Sequence, residues 1–198
     1  MREVKQLFYF SLDLYRGMDY NVGISKRGVV CVDREHTCCF TGHRPDKLPW
    51  GTDHSDPRCA ALRERLAQAV EQAYEAGCRH FICGMARGSD LYFCQAVLDL
   101  RSRCADVTVE GAIPCESQTD SWPAAEREEH DRLLDQCDFE TMVQHTYDRG
   151  CMMRRNRYMV DRSCRIIAVY DGIPKGGTAN TLAYAMKQGL DTHIVRLE

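Results

Sequence analysis

Three short stretches of the sequence set glycine beside side chains that can hold an anion. In TGHRPDKLPW, residues 41–50, Gly42 permits close backbone approach, Arg44 can pair with a phosphate or carboxylate, and Pro45 and Pro49 stiffen the loop. The same residues would equally make a rigid turn with a solvated arginine. In CGMARGSD, residues 83–90, a small-residue loop that includes Gly84 runs into Ser89 or Asp90, either of which can open a helix. Free helix amides and the positive end of the dipole would then face a ligand, with Arg87 supplying charge and Gly88 room. Asp90 also fits a plain N-cap. In YDGIPKGGTANT, residues 170–181, the Gly176-Gly177-Thr178 turn precedes a helical segment, so its amides and the Thr178 hydroxyl can cradle a phosphate or sugar. A glycine turn with a threonine cap has the same pattern. None of the three is a P-loop GxxxxGK[ST] or a dinucleotide-binding GxGxxG.

Two further features carry chemistry. RRNRYMVDRS, residues 154–163, concentrates Arg154, Arg155, Arg157 and Arg162 on one helical segment, with Arg149 ahead of it and Arg165 after it. Such a helix is either a basic patch for nucleic acid or a solvated, salt-bridged face in which Asp161 pairs with Arg157 or Arg165. Trp122, in SQTDSWPAAE, sits where an indole can stack on a base or sugar, or else anchor a loop.

The elements that must position these residues follow from hydrophobic period. Short apolar runs, TCCFTG, HFICGM, VTVEGAIP, FETMVQ, RIIAVYD and THIVRL, read as buried strands. Between the first two, Leu62, Leu66, Ala69, Val70 and Ala73 form one helical stripe that Gly77 stops. Further helices are predicted over residues 90–103, 124–137, 152–162 and 178–189. This alternation predicts an α/β fold, Rossmann-like, with a mainly parallel sheet and helices on both faces. Because ligands in open α/β sheets bind beyond the carboxyl ends of the strands, and the glycine-bearing stretches all follow strands, the pattern predicts one site at one sheet edge.

Composition narrows the class. The chain has 198 residues, 44% apolar and 28% charged, which fits one soluble domain. Its net charge of −3 gives no global pull toward nucleic acid or anionic lipid. No run approaches the ~20 apolar residues of a membrane span, so no membrane partner is expected. The 12 cysteines lack CxxC spacing and sit among apolar neighbours; with an N-terminus unlike a signal peptide, they read as reduced core thiols of a cytoplasmic protein, with no metal site. Residues 1–36 stand apart as an N-terminal extension of unknown role. They combine an amphipathic helix over residues 4–18 with the β-like run GVVCVD, and form either an added element packed on the domain or a partly disordered one.

Several motifs in order carry a family resemblance. GMARGSDLYFCQAVL resembles the GLARGID-type segment of DprA/Smf proteins, and residues 154–189 resemble their RNR helix, apolar strand and glycine turn. TGHRP, the segment around Trp122 and the closing GGT are more similar to the YpsA-like branch of the SLOG superfamily, which also contains the LOG cytokinin-activating hydrolases. The resemblance covers about residues 37–198, taken as one SLOG/YpsA-like Rossmann-like domain. It implies a pocket for a nucleotide or nucleotide derivative built from Gly42, His43, Arg44, Gly84, Arg87, Gly88, Ser89, Arg155, Asn156, Gly176, Gly177 and Thr178. Members of this group often pair, which makes a homodimer an expected assembly.

The resemblance leaves three functions open, because fold analogy does not choose among them. The leading expectation is a binding or sensing domain that requires no cofactor and takes a ligand such as a nucleoside phosphate or an ADP-ribose derivative. There the helix starts at Gly88-Ser89 and Gly177-Thr178 hold phosphate, Arg44 and Arg155 neutralise charge, and Asn156 or Trp122 contacts base or ribose. The second is a LOG-like nucleoside-monophosphate phosphoribohydrolase. Against it, GGTANTLAYA lacks the glutamate of the LOG motif PGGxGTxxE, and Glu116, Asp120 or Asp90 would have to stand in. The third is DprA-like binding of single-stranded DNA through the arginine helix.

Overall fold

Alternating residues along the strands divide the core into two layers. In β3 (Thr37–Thr41), Cys38 and Phe40 enter one apolar cluster while Cys39 enters another. The same alternation holds in β4 (His80–Cys83) and β7 (Arg165–Tyr170), where Ile82, Ile166 and Ala168 share the Cys39 face. Helix α1 (Pro57–Glu75) lays its predicted stripe, Leu62, Leu66, Ala69, Val70 and Ala73, on the first face. It is joined there by α2 (Ser89–Arg103) and α3 (Ala124–Gln136). Met159 and Val160 of α4 (Cys151–Asp161), with Leu182 and Ala185 of α5 (Gly177–Lys187), cover the second. Each fully buried leucine in these layers contributes roughly 1.5–3 kcal/mol.

This computed structural model describes residues 20–25 and 28–197, with side chains from residue 32 onward. Six parallel strands, with β5 (Thr108–Ile113), β6 (Phe139–Met142) and β8 (Asp191–Arg196) completing the set, lie in the order β6-β5-β4-β3-β7-β8. The fold is therefore the Rossmann-like α/β sheet that the hydrophobic pattern predicts, FETMVQ included. The chain leaves β3 toward β4 on one side and later returns to the other side as β7. The crevice between the carboxyl ends of β3 and β7 is accordingly the switch point of the sheet.

Ahead of the sheet, β1 (Tyr20–Ser25) and β2 (Gly28–Asp33) pair antiparallel as a separate two-stranded unit. The run GVVCVD is β2, and the helix expected over residues 4–18 lies outside the described residues. A short turn, Arg34–His36, capped by the Asp33 carboxylate on the His36 amide at 2.8 Å, carries the chain directly into β3.

One polar cluster is built into the core. His80 Nε2 lies 3.0 Å from Glu110 Oε2, and Tyr158 donates its hydroxyl to Glu110 Oε1 at 2.7 Å, tying α4 to β5 and β4. Burial alone would push the Glu110 carboxyl up, but the contacts from His80, Tyr158 and Thr141 outweigh it and hold the group below the ordinary glutamate range. Its stabilising contribution is thus present at neutral pH and is lost as pH falls through the depressed value. Glu110→Leu, which removes the partner of His80 Nε2 and the shorter of the Tyr158 hydroxyl's bonds, is expected to cost about 1–3 kcal/mol at neutral pH. Urea unfolding of both proteins should show that difference narrowing on acidification below the ordinary glutamate pKa.

Candidate functional site

The backbone of Gly42 and His43, just beyond β3, is the point on which three loops converge. From the β4–α2 loop, Ser89 donates both its hydroxyl, at 2.8 Å, and its amide, at 3.2 Å, to the His43 carbonyl. From the start of α5, the Thr178 hydroxyl donates to the Gly42 carbonyl at 3.0 Å and lies 3.3 Å from His43 Nδ1. From the end of β7, the Asp171 amide donates to His43 Nε2 at 3.2 Å. The Asp171 carboxylate also lies 3.2 Å from Nε2. Partial burial pushes that carboxyl up, yet the Ile173 amide, His43 and Lys47 together hold it below the ordinary aspartate range.

Glycine makes this convergence sterically possible. A Cβ on Gly42 would fall on the Ser89 hydroxyl and the Phe40 ring. Gly88 has φ of 84° and would press a Cβ against the His43 carbonyl at 2.9 Å, so both its conformation and its space exclude other residues. The non-glycine residue of this loop with positive φ is Met85, at 52°, fully buried where the chain leaves β4.

A cavity of about 320 Å³ opens in front of the convergence. Gly42, His43, Arg44, Arg155, Asn156, Gly177 and Thr178 line it, as do Asp90, Asp46 and Lys47. Arg44 and Lys47 stand exposed on the rim, and neither forms a salt bridge among the described residues. No side chain caps α5, whose N-cap is Gly176 at φ 93°, so its first amides lack intrahelical acceptors. A Cβ on Gly177 would meet nothing within 4 Å.

The remaining residues singled out in the sequence lie behind or beside the cavity. Ser89 is fully buried as a strut between two loops, and Gly88 supplies its bend. Gly84 lies beneath the cavity, where a Cβ would collide with the Arg155 guanidinium. Arg87 turns to α3 and binds Glu126 with both Nε and Nη2, the latter at 2.6 Å from Oε1. Trp122 packs edge-on against His130, ring centres 5.4 Å apart, and does not line the cavity. Neither cap reading survives: Gly88 caps α2 and Gly176 caps α5, while the Asp90 carboxylate turns back to the Ala86 amide at 3.4 Å.

The arginine helix is largely engaged within the fold. Arg154 pairs with Asp148 and Gln144, Arg162 lies 3.9 Å over the Tyr158 ring, and Arg157 lies 5.4 Å from the Tyr184 ring centre. The anticipated pairing of Asp161 with an arginine gives way to a 2.7 Å bond from the Tyr184 hydroxyl, and Arg165 pairs with Asp191 instead. Arg155 is 4% exposed and donates to the Gly84 carbonyl and, at 3.4 Å, to that of Ala112. Sequence reasoning passed over Lys47, Met152 and Met159. The last two were legible, since Met152, Arg155, Asn156 and Met159 follow the i, i+3, i+4, i+7 pattern of a single helix face.

With this geometry in place, comparison with known proteins settles the lineage. The profile of the YspA SLOG family matches residues 38–197. The chain belongs to that family. Among its relatives, the SPbeta prophage-derived protein YoqJ of Bacillus subtilis (strain 168) is 30% identical over 155 residues, spanning 72% of this chain and 90% of YoqJ. The UPF0398 protein YpsA of the same strain is 23% identical over 156 residues, spanning 75% of this chain and 83% of YpsA. Among solved structures, DNA processing protein A (DprA) from Streptococcus pneumoniae superposes with a TM-score of 0.53 at 16% identity. That match covers 82% of this SLOG chain and half of the DprA chain, and at this identity it is a likeness of fold. The YpsA-like branch of the superfamily is the one that TGHRP and GGT resemble.

Asp90 gives the site a measurable electrostatic signature. Burial pushes its carboxyl up to about 6, against the opposing pull of Arg155, the Ala86 amide and Arg44. A raised folded-state value means that stability is fullest below the ordinary aspartate pKa and is lost as pH rises through about 6. Asp90→Asn should therefore be more stable than wild type at neutral pH, by about 2–3 kcal/mol. Denaturant unfolding across this range should show the advantage disappearing toward acid pH; a variant less stable at neutral pH would contradict the assignment.

Proposed function

We propose that this protein is a cytoplasmic binding or sensing domain for a nucleotide or nucleotide derivative, held at the carboxyl edge of the sheet. The observation that carries the reading is the cationic cavity at the switch point, with an uncapped helix start as one wall. Arg44, Lys47 and Arg155 outnumber Asp46 and Asp90 among its charged lining residues, so the space favours an anion. The free amides at Gly177 and Thr178 offer hydrogen bonds to phosphate oxygens where the helix dipole is positive. Half-buried Met152 supplies apolar surface for a base, and Asn156 supplies an amide on the same helix face. Membership of the SLOG superfamily supports a nucleotide-related ligand. At about 320 Å³ the cavity is at the small end of the ~300–1,000 Å³ typical of ligand sites, which favours a mononucleotide.

The kinship of fold with a DNA processing protein motivates a second reading, in which the same cavity edge receives single-stranded DNA. The engagement of Arg154, Arg157 and Arg162 within the fold weighs against a continuous basic track along α4. No helix among the described residues is long and apolar enough to cross a membrane.

Gly177→Glu isolates the anion site. The new side chain enters open space at the first turn of α5, a position where a carboxylate favours helix formation, so the fold is retained while like charge occupies the phosphate position. Calorimetry with nucleoside monophosphates and ADP-ribose should show wild-type binding that weakens at least tenfold in the variant. Equal affinity in the two proteins would remove the proposed cradle.

A further inference from the structure

Asp90 and Arg155 are both buried, both line the cavity, and both retain unused hydrogen-bonding capacity. Asp90 is 5% exposed, yet its carboxylate accepts a single long bond among the described residues, from the Ala86 amide at 3.4 Å. An ionised carboxylate has room for about four. Arg155 spends Nη1 on the Gly84 and Ala112 carbonyls and Nε on Asn156 Oδ1 at 2.9 Å, while Nη2 donates to no described group. The two charges do not form a salt bridge with each other among the described residues. They flank Gly84, where a Cβ would collide with the Arg155 guanidinium and stand 2.8 Å from Asp90 Oδ1. An acceptor and a donor held apart at such depth, facing one space, are completed by a ligand that both gives and receives hydrogen bonds.

Adjacent hydroxyls meet that requirement, one donating to the carboxylate and the other accepting from the guanidinium. Position selects sugar over base. Arg155 is tied to the helix start assigned to phosphate: its Nε donates to Asn156 Oδ1 at 2.9 Å, Asn156 Nδ2 donates to the Thr181 hydroxyl at 2.8 Å, and that hydroxyl donates to the Gly177 carbonyl at 2.8 Å. In a nucleotide the ribose, not the base, adjoins the phosphate. We infer that Asp90 and Arg155 form a sugar-reading subsite for the vicinal hydroxyls of a ribose 5′-phosphate, the 2′-hydroxyl donating to Asp90 and the 3′-hydroxyl accepting from Arg155, so that the cavity selects ribonucleotides over 2′-deoxyribonucleotides. This inference rests on the nucleotide reading above.

The test titrates the four ribonucleoside 5′-monophosphates and their 2′-deoxy counterparts into wild type and Asp90→Asn by calorimetry. Loss of one hydrogen bond to a charged group should weaken the deoxy ligand about ten- to a hundredfold on wild type. That ratio should fall below about threefold in Asp90→Asn. Equal binding of ribo and deoxy forms by wild type, or a preference that follows the base and ignores the 2′-hydroxyl, overturns the subsite while the nucleotide site stands. Persistence of the full ratio in Asp90→Asn removes Asp90 from the subsite. Binding of no mononucleotide refutes the mononucleotide site, and this inference with it. The wild-type comparison changes the ligand alone, so it decides the matter even where the variant fails to fold.

Discussion

The imidazole of His43 is the keystone of the molecule's ligand edge. It is buried to within 2% of full burial and stands where the chain reverses its direction of sheet growth. Its two nitrogens meet the β7 exit and the α5 start, while its carbonyl receives the α2 start. A buried ring with both nitrogens partnered has little freedom to rotate, and each bond it makes fixes a different loop. The cavity is the space left in front of these restraints. Its shape is consequently a property of the backbone around Gly42 and His43 more than of any residue on the rim.

The charges at this edge divide by burial. Arg44 and Lys47 are solvated and inexpensive to maintain, as befits groups that attract an anion without being committed to one geometry. Arg155 and Asp90 are the reverse. Burial holds the guanidinium below its ordinary value and the carboxyl above its own, and each opposes that shift in the other. A fold under selection for stability alone would have little reason to keep them as they stand, separated by Gly84 with no salt bridge. Elsewhere the protein pairs a buried charge closely, as with Asp138 and the half-buried Arg101 at 2.9 Å. The contrast distinguishes a structural ion pair from a site held open.

Most of the architecture was legible because the strands alternate and the helices keep their period. Leu62, Leu66, Ala69, Val70 and Ala73 are spaced for one face, and they occupy one. Glycine at strand exits likewise marks where the chain is closely approached, as Gly42 is by the Ser89 hydroxyl and Gly88 by the His43 carbonyl. Side-chain direction is what composition and spacing do not encode. Nothing in ARGSD states that Arg87 turns away to Glu126 while Asp90 faces the cavity, since that depends on α3, contributed some forty residues later. Arginine clustering misleads for a related reason: Tyr158, Tyr184, Asp148 and Gln144 absorb the charges, and their proximity is a tertiary fact.

The bond from the Thr178 hydroxyl to the Gly42 carbonyl spans 136 residues of chain. At synthesis rates of ~5–20 residues per second, a ribosome needs roughly 7–27 s to deliver the second partner after the first. For most of that interval β3 lacks β7 on one side and offers an unpaired edge, the kind of template on which nascent chains aggregate. Ligand cannot protect the chain during this time, because the closing wall has not yet been made. Whatever shields the growing polypeptide must act on the bare strand, and small-molecule rescue begins only once translation has passed α5.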